Sequence, residues 1–394
     1  MLYEDYTKEL LDLKDVIVTR IEHDERLCSI HLEMPRKPHS CPVCGSETEQ
    51  IHDYRQQRIK DIAAFGKHTI LVLRKRRYGC PLCGKHFYEK VPFLPKYHRF
   101  TSRLYAWITQ EFRKVHSMTD IAGRNNVSGP TAARIFDHVS YSNLSLPQVL
   151  SFDEFKGNAG GEKFQFIMTD PVKRKVLDIL ASRRTEDLYA YFSRYTDRRQ
   201  VKYIVIDMNK DYKSISQNLF PMATIVADKY HVFRQVTWAF ENVRKQEQKK
   251  FGDVRRKYFK RSRKLLLKNP DKLTEMEQDQ VTAMLSISER LRYAYALKNE
   301  FHKVMDSRDS REARKRLGLW CMMAQGYRDE IPEFNACFTA FTNWQKEILS
   351  SFDCPYTNGF TEGTNNKIKV IKRNAYGVRK FERFRNRILH VMAA

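Results

Sequence analysis

No stretch of this sequence approaches the ~18–20 consecutive apolar residues of a membrane-spanning helix, so no membrane partner is expected. The N-terminal segment through Asp15 is acidic and has no apolar core of a secretory signal, which points to the cytoplasm. Internal repeats and low-complexity linkers are also lacking, which argues against a repeat array or a long flexible tether. Acids are scarce: 47 Asp and Glu face 71 Lys and Arg, a formal surplus of +24. Such a surplus destabilises a compact chain through self-repulsion unless a polyanion shares the charge. Nucleic acid is the expected partner, in a nucleoid-associated protein; an inert basic surface is the bland alternative. Cysteines are few, eight in all, and Cys28, Cys321, Cys337 and Cys354 are scattered and read as packing residues.

At 394 residues the chain can bury two or three cores. Residues 1–37 are expected to form a helix and a hairpin turning at Asp24-Glu25. Residues 38–95 are cysteine-rich, and residues 96–146 carry three short amphipathic helices. In these, Leu104, Ile108 and Phe112 share one face, Met118, Ile121 and Ala122 a second, and Ile135 and Val139 a third. After Pro147, residues 147–250 open with short apolar runs that predict three strands in series, then helix, strand, helix and strand. That order makes a mixed sheet with helices on its faces. The pattern is helical from His231 to about Ser350, and residues 251–350 read as an all-helical insertion. Residues 351–394 hold a turn at Asn358-Gly359, a long helix, and a second turn at Tyr376-Gly377. The fold class expected is α/β.

The remaining cysteines form Cys41-Pro-Val-Cys44-Gly and Cys80-Pro-Leu-Cys83-Gly, two copies of one knuckle. In a reducing compartment such pairs suggest metal and not disulfide. Four thiolates meeting one ion at about 2.3 Å make a structural Zn²⁺ site, closed to chemistry. Metal-free redox pairs and iron–sulfur sites are the alternatives, which the Pro and following Gly weigh against. The 35 residues between Cys44 and Cys80 must form a hairpin of their own. The module is expected to present Arg74, Lys75, Arg76 and Arg77 to DNA phosphates.

Asn125-Asn126 reads as a turn and Ser128 as the cap of a helix whose exposed face carries Thr131, Arg134 and His138. This is the outline of a helix-turn-helix aimed at a major groove, with three merely structural helices as its alternative.

Two acids follow apolar runs, Asp153 at the end of the first strand of the mixed sheet and Asp207 at the end of the fourth, and Glu362 lies in the first turn of a later helix. That order suits a ribonuclease-H-like core that cuts nucleic acid. Two carboxylates 4 Å apart repel by roughly 4 kcal/mol at an effective dielectric of 20. Two Mg²⁺ ions, or Mn²⁺, would relieve that repulsion and serve an in-line phosphoryl displacement. Asp170, Asp178, Asp211 and Glu154 compete on spacing alone.

The string from Asn358 through Gly377, containing Glu362, Asn365, Asn366, Lys369, Lys372 and Arg373 and followed by Phe381 and Phe384, resembles the C-terminal signature of the ISL3 family of bacterial insertion-sequence transposases. The two knuckles, the segment around Asp153, and Asp228-Lys-Tyr-His231 resemble the same family. The resemblance covers essentially the whole chain. It implies a DDE transposase: a ribonuclease-H-like core interrupted by the helical insertion and preceded by a zinc finger and a helix-turn-helix. It singles out Asp153, Asp207 and Glu362 as catalytic, metal-holding acids. Asp228 and His231 would orient the site or anchor a strand-to-helix turn. Asn366, Lys369 and Arg373 follow Glu362 at offsets that share its face, and with Lys372 they are expected to hold DNA. The basic stretches Lys249–Lys268, with ten Lys or Arg and one acid, and Lys367–Arg387 are expected to line the path of transposon-end or target DNA. The implied activity is binding of terminal inverted repeats, release of a 3′-hydroxyl and its joining to target DNA by a dimer on paired ends. A catalytically silent DNA-binding regulator and a nuclease that cuts without joining are the alternatives.

Overall fold

The computed structural model describes residues 11–13, 15–157, 159–261 and 263–393, so the expected N-terminal helix lies outside the described residues. The chain forms two compact units, Met1–Tyr141 with Lys369–Ala394, and Ser142–Ile368. Among the described residues no helix is long and apolar enough to cross a membrane.

In the first unit, β1 (Ile17–His23) and β2 (Leu27–Glu33) form the expected antiparallel hairpin. Its turn is held by Asp24 Oδ1, which accepts from the amides of Arg26 at 2.7 Å and Leu27 at 2.8 Å. A short pair, β3 (His39–Ser40) and β4 (Glu47–Thr48), frames the first knuckle. The sequence between the knuckles is a long hairpin, β5 (Ile51–Ala64) and β6 (Lys67–Gly79), and β7 (His86–Tyr88) pairs with β6. Phe65 and Gly66 both take positive φ at its tip, 52° and 75°. The sheet order is β1-β2-β6-β5, with Ile30, Leu32, Ile59, Leu71 and Leu73 buried on one face by the two-residue period of strands.

Three helices follow: α1 (Ser102–Glu111), α2 (Met118–Arg124) and α3 (Gly129–Phe136), N-capped by the hydroxyls of Thr101, Ser117 and Ser128. Leu104, Ile108, Phe112, Ile121, Ala122 and Ile135 pack as their periodicity predicts. Asp61 of β5 fastens α1 by accepting from Thr101 Oγ1 at 2.7 Å and Arg103 Nε at 2.8 Å.

The second unit is built on β8 (Val149–Lys156), β9 (Phe164–Asp170), β10 (Lys175–Leu180), α4 (Thr185–Ser193), β11 (Tyr203–Ile206), α5 (Lys210–Leu219) and β12 (Thr224–Ala227). The sheet order is β10-β9-β8-β11-β12, antiparallel across the first three strands and parallel across β8, β11 and β12. The mixed α/β sheet anticipated from the order of apolar runs is therefore present. Leu150, Phe152, Phe166, Met168, Ile204 and Ile206 face a core shared with Phe192, Tyr212 and Phe220.

The chain is then helical: α6 (Lys229–Lys249), α7 (Asp253–Arg261), α8 (Arg263–Leu267), α9 (Glu275–Ile287), α10 (Glu289–Met305), α11 (Ser310–Gly326), α12 (Asn335–Asn343) and α13 (Gln345–Asp353). Buried Lys298 of α10 closes the end of α8, its Nζ donating to the carbonyls of Leu266 at 2.9 Å and Lys268 at 3.2 Å. Cys28, Cys337 and Cys354 are buried and Cys321 half-buried, as packing residues should be.

Two helices end the chain, α14 (Gly359–Asn374) and α15 (Phe381–Met392), separated by the expected turn, in which Tyr376 and Gly377 have φ of 48° and 94°. The unit boundary falls within α14, so residues 351–394 divide between the units and do not stay together as one C-terminal piece. Arg387 donates to the carbonyls of Lys114 at 2.7 Å and His116 at 2.8 Å and to that of Phe112. Arg383 grips Asp137 with two bonds of 2.7 and 2.6 Å. The C-terminal helix is thus a fourth helix of the helix-turn-helix unit.

Candidate active site and zinc site

The parallel register decides where the acids stand. Ile206 pairs with Phe152 on one side and Ala227 on the other, so the next residues, Asp153, Asp207 and Asp228, occupy one level across three neighbouring strands. Adjacent strands lie about 4.8 Å apart, and residues at one level of parallel strands project to one face. The carboxyl ends of parallel strands are where α/β sheets bind ligands. Asp153 is not the end of its strand as read from the sequence: β8 runs on to Lys156 because β9 continues to pair with it.

His231 Nδ1, in the first turn of α6, lies 2.9 Å from Asp207 Oδ1 and 3.1 Å from Asp228 Oδ2. Burial opposes charge on His231, yet the hydrogen bonds to Asp207 and Asp228 push its pKa up to about 10, so it stands as an imidazolium between them. Burial, and then the neighbouring Asp207 carboxylate, push Asp153 up to about 7. Such a carboxyl ionises readily only where positive charge balances it.

Helix α14 delivers the remaining groups. Asn358, just before it, donates its amide to Asp228 Oδ1 at 3.1 Å and its Nδ2 to Asp207 Oδ1 at 3.4 Å. One turn on, the Thr361 hydroxyl sits 3.0 Å from Ser151 Oγ and 2.7 Å from Thr169 Oγ1, inside the sheet face. Another turn on, Asn365 Nδ2 donates to Asp153 Oδ2 at 2.6 Å. Residues 358, 361 and 365 therefore form one stripe laid across the acids. Glu362 follows Asn358 by four and precedes Asn365 by three, which puts it on the same side of the helix. It is half-buried, and its carboxylate takes no hydrogen bond or ion pair among the described residues. From sequence, Asn358 and Asn365 were named within the signature string but given no role at the site, and Thr361 was not named; their helical spacing ahead of and behind Glu362 was the available signal.

The competing acids have other partners. Asp170 accepts from the amides of Val172 and Lys173 in a turn, Asp178 accepts from Tyr191 Oη at 2.7 Å, and Asp211 is exposed in the first turn of α5. Glu154, beside Asp153, is taken by Arg183 and by Tyr212 Oη at 2.8 Å. The donor set at the acid cluster is oxygen-rich, and Asn365 Oδ1 is buried there without a hydrogen-bond partner. Both features fit a hard divalent cation such as Mg²⁺, with Asp153, Asp207, Asp228 and Glu362 as the oxygens on offer. Asp207, Asp228 and His231 also meet within 4.8 Å as a possible metal group.

The four knuckle sulfurs all lie within 4.8 Å of one another, with Cys41–Cys83 at 3.6 Å and Cys44–Cys80 at 3.5 Å. A tetrahedral ion with bonds of about 2.3 Å sets its sulfurs about 3.8 Å apart, so the thiols fit Zn²⁺. The knuckles are equivalent. The amide of Gly45 donates to Cys41 O and that of Gly84 to Cys80 O, each at 3.0 Å. Positive φ at both glycines, 73° and 69°, turns the chain back. Backbone hydrogen bonds pull Cys80 down to about 6. Cys83 rises to about 12, because burial and the neighbouring sulfurs outweigh its own backbone bond from Lys85. Four thiolates so close require a cation between them.

The basic run 74–77 lies on β6, and the strand splits it. Arg76 points inward and is buried, engaging Glu89, Glu33 and the carbonyl of Met34, so the expectation that it reaches DNA does not hold. Arg77 pairs with Asp53 at 3.2 Å, Arg74 lies over the Tyr54 ring and 3.6 Å from Glu33, and Lys75 is half-buried. On α3, Arg134 is exposed and Thr131 half-buried; His138 is exposed but falls beyond the end of the helix. Asn366, Lys369 and Arg373 are exposed on α14, and Lys372 is half-buried.

Comparison with known proteins matches these parts to one family. A transposase model of the ISL3 family (DDE_Tnp_ISL3) matches residues 150–388. The zinc-finger of transposase IS204/IS1001/IS1096/IS1165 matches residues 37–83, and the helix-turn-helix domain of transposase family ISL3 matches 89–140. The transposase for insertion sequence element IS1001 of Bordetella parapertussis is 29% identical over 93% of both chains. The transposase for insertion sequence element IS1557 of Mycobacterium tuberculosis is 30% identical over 32% of this chain and 28% of its own. A Lactococcus lactis protein named ATP-dependent protease is 34% identical over 29% of this chain and 34% of its own. With more than half of its length matched by the family's own model, the chain belongs to the ISL3 family of insertion-sequence transposases.

Proposed function

We propose that this transposase cuts and joins DNA through Asp153, Asp207 and Glu362, on a ribonuclease-H-like core formed by residues 147–250 and the part of 351–394 that carries Glu362, around the helical insertion 251–350. The observation that carries the reading is the shared level of Asp153 and Asp207 on two neighbouring parallel strands, crossed by the helix that bears Glu362. When bound, a pair of Mg²⁺ ions would supply the positive charge that activates the attacking oxygen and stabilises the leaving one. The chain's own residues set the geometry. Asn365 fixes the Asp153 carboxylate; His231 and Asn358 hold Asp207 and Asp228 in register; Thr361 pins α14 to the sheet.

The helix-turn-helix binds the element's terminal inverted repeats, with Arg134 among the residues facing DNA. Exposed Asn366, Lys369 and Arg373, with Lys372, track the strand near the cut, and two copies of the chain bridge paired ends. The zinc holds residues 38–95 in shape and does no chemistry. A cleavage and strand-transfer assay on terminal-repeat DNA with Mg²⁺ tests the reading. Asp153→Asn, Asp207→Asn and Glu362→Gln should each lower both steps by at least about a thousandfold while end binding persists. Activity retained in any one would remove that acid from the set; cutting without joining by the native chain would make it a nuclease.

A further inference from the structure

Within the unit formed by Met1–Tyr141 and Lys369–Ala394 lies a groove of about 900 Å³, walled on one side by α3 and on the other by the end of α14 and the loop after it. Its floor is apolar, built from Phe112, Phe136 and Ile371, and its rim is basic. Five Lys and Arg line it against a single carboxylate, Asp137, which Arg383 already neutralises. The Arg383 hydrogen bond holds the Asp137 carboxyl below the usual range, so it stays ionised and its charge is offset by the guanidinium paired with it. Arg387 is spent on three backbone carbonyls. Arg134 on one wall and Arg379 and Lys380 on the other are exposed and make no ion pair among the described residues, though Lys380 is near enough to favour the Asp137 carboxylate.

The loop that carries Arg379 and Lys380 is presented in a set shape. Tyr376, 88% exposed, and Gly377 take consecutive positive φ, which turns the chain sharply out of α14. Six residues later Arg383 ties the start of α15 to the residue that caps the end of α3. The spacing between the loop and α3 is thereby held by a two-bond ion pair, the geometry that guanidinium and carboxylate make best.

We propose that α3 and the loop 376–380 form one two-part surface for terminal-repeat duplex DNA, in which the loop grips the backbone beside the bases that α3 reads. Charge names the occupant: a groove with three cations in no ion pair among the described residues, and with its one carboxylate paired to Arg383, complements a sugar–phosphate strand, and apolar floors suit deoxyribose and thymine methyl groups. The inference rests on the reading of the helix-turn-helix as the terminal-repeat module. It adds that recognition needs the far C-terminal end of the chain.

The test uses the full-length protein, with binding to terminal-repeat duplex followed across a salt series. Loss of two phosphate contacts in Arg379→Ala/Lys380→Ala should lower the slope of log K against log salt by about 1.8 and weaken binding roughly tenfold or more. Arg379→Lys/Lys380→Arg, which keeps both charges, should retain the slope. Hydroxyl-radical footprints should show the protection lost in Arg379→Ala/Lys380→Ala within one helical turn, about 10 base pairs, of that lost in Arg134→Ala. An unchanged slope and affinity, or protection lost only on target DNA, would overturn the proposal. Mg²⁺-dependent cleavage by the native chain is read on the same duplex. Its absence would count against the catalytic reading and leave the binding result standing on its own.

Discussion

Thr361 is fully buried, and its hydroxyl joins Ser151 and Thr169 in a polar knot under the acids. Replacing it by Val takes this partner from the buried Thr169 hydroxyl, while Ser151 keeps its bond to Asn358 Oδ1. Thr361→Val should cost about 1–3 kcal/mol in denaturant unfolding, and it should lower cleavage more than end binding, since the knot sets the seat of α14. Unchanged stability with full cleavage would show that the knot does not position the helix. Lys298 has a consequence in pH. Burial lowers its pKa from 10.5 to about 7, so between these values the unfolded chain binds one proton more than the folded one. Stability contributed at this site therefore rises with pH from about 7 to about 10. Thermal midpoints measured over that range should rise less steeply in Lys298→Met than in the native chain; parallel curves would refute the assignment. At this scale the charged members of the site were legible in the sequence because carboxylates follow apolar runs. The uncharged partners were not, because Ser, Thr and Asn become informative only when three elements bring them together.

Strand β6 shows what an element does to a motif. Arg74, Lys75, Arg76 and Arg77 read as one basic patch, yet Arg74 and Arg76, which share a face of the strand, fare differently: Arg76 is buried against Glu89 and Arg74 stays exposed. Arg76→Ala would strand that carboxylate, which burial already pushes upward, and should destabilise the first unit by about 3–5 kcal/mol. Arg74→Ala should leave the melting midpoint nearly unchanged, and equal loss in the two variants would contradict the division. The knuckles behave as a pair: Cys80→Ser should release zinc, detected by metal analysis, and lose end binding together with the fold of the sheet they close. Zinc retained at native stoichiometry would exclude the four-sulfur site. The knuckles and the capped helices were readable because each is a local pattern. Ser128 capping α3 needs only its own turn, whereas the inward face of β6 needs β2 and β7 beside it.

Across the whole molecule, residues 369–394 fold with the first 141 and not with the sheet they follow in sequence. Arg387→Ala should therefore lower terminal-repeat affinity and the stability of the first unit, because the carbonyls of Phe112, Lys114 and His116 lose their donor. An unchanged gel-shift isotherm and an unchanged first melting transition would argue against that. The order of apolar runs, the paired Cys-x-x-Cys knuckles and the charge surplus determined by themselves the mixed sheet, the zinc module and the anionic partner, since each depends on local spacing or on a sum over the chain. Register and return did not. Asp228 came level with Asp153 and Asp207 only when β12 took its place beside β11, and the C-terminal helix joined the helix-turn-helix through Arg383, Arg387 and His390, whose Nε2 lies 2.8 Å from the carbonyl of Thr109. The first placement rests on pairing between strands, as of Ile206 with Phe152 and Ala227, and the second on contacts such as Arg383 with Asp137 between opposite ends of the chain; neither leaves a period in the sequence.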